Sequence, residues 1–167
     1  MHQRPPRFMA QHAKSEIAGI FGLEEKDFLA GYPLETVSTG TAMLMAPLVS
    51  KAALARVAMD SNRYRAYRAK SDFFSPHFFV LEGETPEGDT FARHLGTPPD
   101  TLEDAFTGSA TGAMGAYLWK HGLIKEKFYA EQGHWMGRPG RALVENQGKS
   151  ISVAGPAITL VQGKLTL

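Results

Sequence analysis

Apolar positions recur along this chain with two periods, about 3.6 in some stretches and 2 in others, and the alternation between them marks out the elements. Residues 1–10 read as an extended lead-in, since Pro5 and Pro6 disfavour helix. Ile17, Ile20 and Phe21 share one side of a short helix from about Gln11 to Phe21, which Gly22 ends. Glu24 to Pro33 reads as loop. Glu35–Gly40 and Met43–Val49 read as two strands, or as one strand broken near Gly40. Ser50 is a good N-cap for a helix from Lys51 to Met59 with Leu54 and Val57 inward, and Asp60-Ser61 caps the next, through about Ala69.

Phe73–Leu81 is aromatic and β-branched enough for a strand despite Pro76. The turn Gly83–Gly88 leads to a hairpin partner over Asp89–Leu95, and Gly96–Thr101 is a loop. A helix is expected from about Gly108 to His121, closed by Gly122. Four short strands follow: Lys127–Gln132, Arg141–Asn146, Ser150–Ala154 and Ala157–Gln162. Helices lie early and centrally and strands dominate, so the class is α+β, one domain over residues 11–167.

The helix at 108–121 has no polar stripe before Lys120. A helix apolar all round is a buried one. Gly112, Ala113, Gly115 and Ala116 let other backbone approach closely. The simplest arrangement is a curved mixed sheet, or barrel, wrapped around this one central helix.

Composition narrows the chemistry. The chain has 167 residues, 43% hydrophobic and 21% charged, with a formal net charge of +1. No global field draws it to nucleic acid or membrane. It has no cysteine, which removes disulfides, thiolate nucleophiles and Cys-ligated zinc and fits a cytoplasmic setting. No apolar run approaches the ~20 residues that span a bilayer, and the basic start lacks the apolar core of a signal peptide. The six histidines show no metal spacing, and no phosphate-binding, dinucleotide or nucleophile-elbow motif is present, so neither cofactor nor metal is expected.

The densest chemistry lies in Glu103-Asp104-Ala105-Phe106-Thr107-Gly108-Ser109-Ala110. Thr107 or Gly108 starts the helix, whose first N–H groups lack internal partners and carry partial positive charge. The N–H groups of Gly108, Ser109 and Ala110 can cradle a substrate carboxylate, with Gly108 offering no Cβ in the way. Asp104 stands just upstream, able to handle a proton. From the residues alone, Asp or Thr before a helix more often serves only as a cap.

Four blocks in order tip that balance: Val37-Ser38-Thr39-Gly40-Thr41; the acidic-Thr-Gly-Ser block; Ala130-Glu131-Gln132-Gly133 with Met136-Gly137-Arg138-Pro139; and Ser152-Val153-Ala154-Gly155-Pro156-Ala157. Together they resemble the second half of PhzF-like phenazine-biosynthesis proteins, relatives of diaminopimelate epimerase. The resemblance implies a half-molecule of that fold, a sheet around a central helix. It also implies cofactor-independent acid/base proton transfer at a carbon of a small carboxylate-bearing substrate, in a cleft between two such halves. The family's principal acid/base glutamate belongs to a preceding half that nothing here matches, so a homodimer or a separate N-terminal-type domain is the expected partner.

Carried over residue by residue, the resemblance makes Asp104 the proton-handling group and Thr107, Gly108, Ser109 and Ala110 the substrate cradle. Thr39 and Gly40 join as a second segment near the cleft, or else form a β-bulge. Where relatives usually have Pro after the acidic pair, this chain has Ala105, which implies a looser loop; Thr111 replaces a His or Asn. A non-catalytic carboxylate-binding domain, or a single-domain remnant of the family, is the competing class.

Other features read as structural. The run Arg63–Lys70 could stack on nucleic acid, but at helical spacing it is a solvated face. Trp119 and Trp135 read as core. Arg138 can pair with a substrate or with Glu131, the latter preferred, and His94 points toward the acidic loop.

Overall fold

A computed structural model describes residues 1–96, 102–124, 126–147 and 150–164. The loop expected over Gly96–Thr101 falls almost wholly outside them. Nine strands form one mixed sheet: β1 (Arg7–His12), β2 (Leu34–Ser38), β3 (Ala42–Pro47), β4 (Ser75–Val80), β5 (Thr90–Leu95), β6 (Glu103–Asp104), β7 (Lys127–Gln132), β8 (Gly140–Gln147) and β9 (Ser150–Ala154). Their order is β1-β2-β3-β4-β5-β7-β8-β9, with β6 also beside β5. The β3–β4 and β5–β7 pairs are parallel and the rest antiparallel.

Four helices cover this sheet: α1 (Lys14–Phe21), α2 (Lys51–Arg56), α3 (Ser61–Arg68) and α4 (Gly108–Lys120). Local signals set several ends. Ser50 accepts a hydrogen bond from Ala53 N–H, Asp60 accepts from Asn62 and Arg63 N–H, and Gly22 ends α1 at φ 66°.

The strand pleat divides the core in two. Leu44, Ala46, Phe78, Val80, Phe91 and Leu95 face Ile17, Phe21, Leu54 and Tyr64 of α1–α3. Met43, Met45, Phe79 and Ala92 face Ala110, Ala113, Met114, Tyr117 and Leu118 of α4. Central strands therefore need apolar residues at both parities, which is why Met43–Ala46 reads as a continuous run. Residues Ala110 to Leu118 of α4 are all buried. The glycines there admit close neighbours: a Cβ on Gly115 would lie 2.8 Å from Val144 Cγ1, and one on Gly112 would lie 2.8 Å from the Gln3 side chain.

The first residues join both ends of the sheet. Gln3 N–H donates to Ile151 C=O at 2.8 Å and Val153 N–H to Met1 C=O at 3.0 Å, while Arg4 N–H donates to Thr39 C=O at 3.1 Å.

Several expectations need correction. The strand β1 runs through His12, so Gln11 and His12 are not helical and α1 starts at Lys14. Pairing of Gln11 and His12 with Glu35 and Leu34 outcompetes the helical pattern there. No strand forms over Ala157–Gln162, where Ile158, Leu160 and Val161 are 85–88% exposed. The free edge of β9 is already taken by Met1–Gln3, so this segment meets no ladder. Trp119 and Trp135 are not core but 39% and 42% exposed. Trp119 sits on the last turn of α4, and Trp135 meets Phe91 in an edge-to-face contact, with ring centroids 4.7 Å apart.

Candidate active site at the amino end of α4

The acidic pair forms the two-residue strand β6, antiparallel to β5, with Leu95 opposite Glu103 and His94 opposite Asp104. Adjacent residues of a strand point to opposite faces, so the two carboxylates part company. Glu103 meets Arg93 in a two-point ion pair of 2.9 and 2.8 Å. Arg93 in turn donates to Leu54 and Val57 C=O, both at 3.0 Å, tying β6 to the end of α2. Asp104 is exposed, and its Oδ2 accepts from the Thr107 hydroxyl at 2.6 Å.

The loop from Asp104 to Thr107 is held from behind by the end of β7. Gln132, 2% exposed, donates from Nε2 to Asp104 C=O at 2.7 Å and accepts Thr107 N–H at 3.2 Å. Gly133, at φ 82°, lies so close that a Cβ there would meet Ala105 C=O at 2.4 Å. Phe106 occupies the space that a Cβ on Gly140 would need. The loop that carries Ala105 in place of proline thus packs against Gln132 and Gly133 at the end of β7 and Gly140 of β8. Sequence reasoning missed Gln132 as part of this site. The available signal was the Glu131-Gln132-Gly133 block, read only as a tight turn.

Thr107 occupies the N-cap position of α4, yet no side chain caps this helix. The first return bond runs from Thr111 N–H to Thr107 C=O at 2.9 Å. The N–H groups of Gly108, Ser109 and Ala110 precede it and have no partner within the helix. Gly108 and Ser109 are half-buried, and Ala110 is fully buried. Met1 approaches this end: its Cε would lie 3.5 Å from a Cβ on Gly108, and Met1 itself is 70% exposed. The arrangement offers an uncapped row of donors beside an exposed carboxylate, partly open to solvent at Gly108 and Ser109.

Thr39 and Gly40 lie in the turn of the β2–β3 hairpin, whose Ser38 and Ala42 pair directly. This is a three-residue turn and not a bulge inside a strand. Thr39, 4% exposed, donates its hydroxyl to Gln3 Oε1 at 3.0 Å. Because Gln3 packs on Gly112, Thr39 connects to the first turns of α4 through Gln3. Gly40 is exposed at φ 150°.

Beneath Asp104 lies a buried polar cluster. His94 Nε2 is 2.8 Å from Ser75 Oγ, and its Nδ1 is 3.3 Å from His77 Nδ1. His77 is 0% and His94 4% exposed. Burial pushes His94 down to about 4, against the upward pull of the Asp104 charge. Burial, then His94, hold His77 well below the usual histidine range. Sequence reasoning placed His94 toward the acidic loop but did not see His77 beside it.

Glu131 is buried and paired with Arg141 at 3.1 Å and with Thr85, so its partner is Arg141 and not Arg138. Tyr64 of α3 is buried while Arg63 and Arg65 are exposed, as a solvated helix face requires. Among the described residues, no three His, Cys, Asp or Glu are grouped to hold a metal ion, and no helix is long and apolar enough to cross a membrane.

A mixed, curved half-barrel sheet with few helices defines a diaminopimelate epimerase-like fold, and a solved structure supports it. The PhzF-family protein of Bacillus anthracis superposes with a TM-score of 0.79 at 26% identity, over 93% of this chain and 56% of that one. The profile of the phenazine biosynthesis-like (PhzC-PhzF) proteins matches residues 2–163, and the chain belongs to that family. Bacillus subtilis YfhB, named as an uncharacterised isomerase, is 31% identical over 134 residues, 79% of this chain and 46% of that protein. The trans-2,3-dihydro-3-hydroxyanthranilate isomerase of Pseudomonas chlororaphis is 26% identical over 175 aligned positions, 100% of this chain and 58% of that protein. The chain spans about half the length of the curated relatives it matches.

Proposed function

We propose that this chain is one half of a PhzF-like isomerase or epimerase that moves a proton at carbon on a small carboxylate-bearing substrate. The observation that carries this reading is the uncapped amino end of α4 with exposed Asp104 at the same end. In this reading the sheet wraps α4 as its axial helix, so the helix end is the floor of the substrate site. The substrate carboxylate sits on the N–H groups of Gly108, Ser109 and Ala110, with the Ser109 hydroxyl and the Thr39-Gly40 turn at the margin. Asp104 takes a proton from the adjoining carbon, and the electron pair left behind delocalises into the carboxylate that those N–H groups hold. The proton returns to the same or a conjugated carbon, which leaves atoms and charge balanced without a cofactor.

A second acid/base group must face Asp104 across a cleft. We assign it to an N-terminal-type domain or to a second copy of this chain, whose own Asp104 would then stand opposite. For the second-copy arrangement, static light scattering on the dilute chain is expected to report twice the monomer mass. A stable monomer would dispose of it and leave the separate domain.

The reaction is tested by incubating the protein with candidate amino or hydroxy acids in deuterated water. Solvent deuterium is expected at the α- or γ-carbon. Binding without incorporation would favour the second reading, a carboxylate-binding domain that does not turn over.

A further inference from the structure

Thr107 carries a hydroxyl at the position where most helices use one to cap themselves, and it does not cap. Its single proton goes to Asp104 Oδ2 at 2.6 Å. That length is typical of a hydroxyl donating to a carboxylate, roughly 2.5–2.7 Å, and such bonds are about twice as strong as neutral ones. A charged acceptor next door therefore wins the hydroxyl from the backbone N–H groups of the helix. Gln132 sets up the competition. It grips the loop at Asp104 C=O and Thr107 N–H, and its Nε2 also lies 3.4 Å from Thr107 Oγ1. Buried at the end of a central strand, Gln132 has little freedom to let go.

Two consequences follow for one hydroxyl. The helix end stays open to an outside anion. The carboxylate of Asp104 is pinned through Oδ2, while Oδ1 accepts no hydrogen bond from any described residue.

We propose that Thr107 is a positioning residue: its hydroxyl, held in place by Gln132, orients Asp104 so that Oδ1 is the oxygen that exchanges the proton, and it leaves the N–H row of α4 vacant for the substrate carboxylate. This rests on the proton-handling role proposed for Asp104. It narrows the part Thr107 plays, from touching substrate to aiming the group that does.

Thr107→Val removes the hydroxyl at nearly constant shape, and Thr107→Ser restores it. The first readout needs no turnover: the NMR signal of the Asp104 side-chain carboxyl carbon is compared among the variants at pH 7. With the donor gone, the Thr107→Val carboxyl signal is expected to move from its wild-type position, because Oδ2 loses the hydroxyl it accepts. Thr107→Ser is expected to keep the wild-type position. The second readout is deuterium incorporation. Thr107→Val is expected to lose roughly 10- to 100-fold, the worth of a hydrogen bond to a charged group. Thr107→Ser is expected to stay within about threefold, since it keeps that bond. A Thr107→Val carboxyl signal at the wild-type position, or equal incorporation by the two variants, overturns the proposal. If the wild-type chain incorporates no deuterium, the proposed reaction fails on its own account, and the carboxyl signal still decides whether Thr107 holds Asp104.

Discussion

Asp104→Asn is expected to lower solvent-deuterium incorporation by roughly 10²- to 10⁴-fold, the usual worth of a positioned acid/base group. The substitution keeps size and shape. An asparagine carbonyl oxygen still accepts the Thr107 hydroxyl, and Gln132 still holds the main chain at 104 and 107, because those bonds are to backbone atoms. What is lost is the capacity to take and return a proton. Affinity for a carboxylate ligand is expected to hold or rise, since a negative charge beside the donor row disappears. Glu103→Gln is the matched control. Glu103 points to the other face of β6 and serves Arg93, so its replacement is expected to weaken the fold and spare the exchange. Equal losses in the two variants would mean that the acidic pair acts only as structure.

The second large effect is on stability against pH. Buried His94 titrates at about 4, where an unfolded histidine titrates near 6.5. Between these values the unfolded chain binds more protons than the native one, so stability rises with pH across that window. The contribution is complete above about pH 6.5 and is lost progressively as pH falls toward 4, amounting to about 3 kcal/mol for His94 alone. His77 adds in the same direction, because burial also holds it neutral. Urea unfolding at pH 7 and pH 4.5 measures this. His94→Gln, which can keep a bond to Ser75 without titrating, is expected to flatten the dependence. A wild-type midpoint that does not move between the two pH values contradicts the buried neutral pair.

Much of the fold was legible because its causes are local. The caps at Ser50 and Asp60 and the αL glycine at Gly22 act within one turn. Strand β7 occupies Lys127–Gln132, the span its pattern predicts. The unbroken apolar run from Gly108 made no polar stripe, and α4 occupies Gly108–Lys120. Misreadings have nonlocal causes. Strand β6 is only two residues long and exists because β5 extends beyond the end of β7, leaving His94 and Leu95 to pair with Asp104 and Glu103. Ala157–Gln162 has strand-like residues, but the neighbouring edge of β9 is already taken by Met1–Gln3. Arg138 and Arg141 stand three apart, and only the register of β7 on β8 puts Arg141 opposite Glu131.

The candidate site divides the same way. Its ingredients, Asp104 and the small residues that open α4, stood together in the chain. The clamp did not, since Gln132 lies 25 residues beyond Thr107 and reaches it through strand order alone. Nor could the chain reveal that Glu103 and Asp104 point apart, because that depends on both lying in a strand.

The central claim is that the amino end of α4 receives a carboxylate. Amide NMR spectra of the protein, recorded during addition of a small hydroxy or amino acid, test it most directly. The account predicts saturable shifts at the amides of Gly108, Ser109 and Ala110, with Asp104 and Thr107 following. Saturable binding that leaves those three amides unmoved would contradict it.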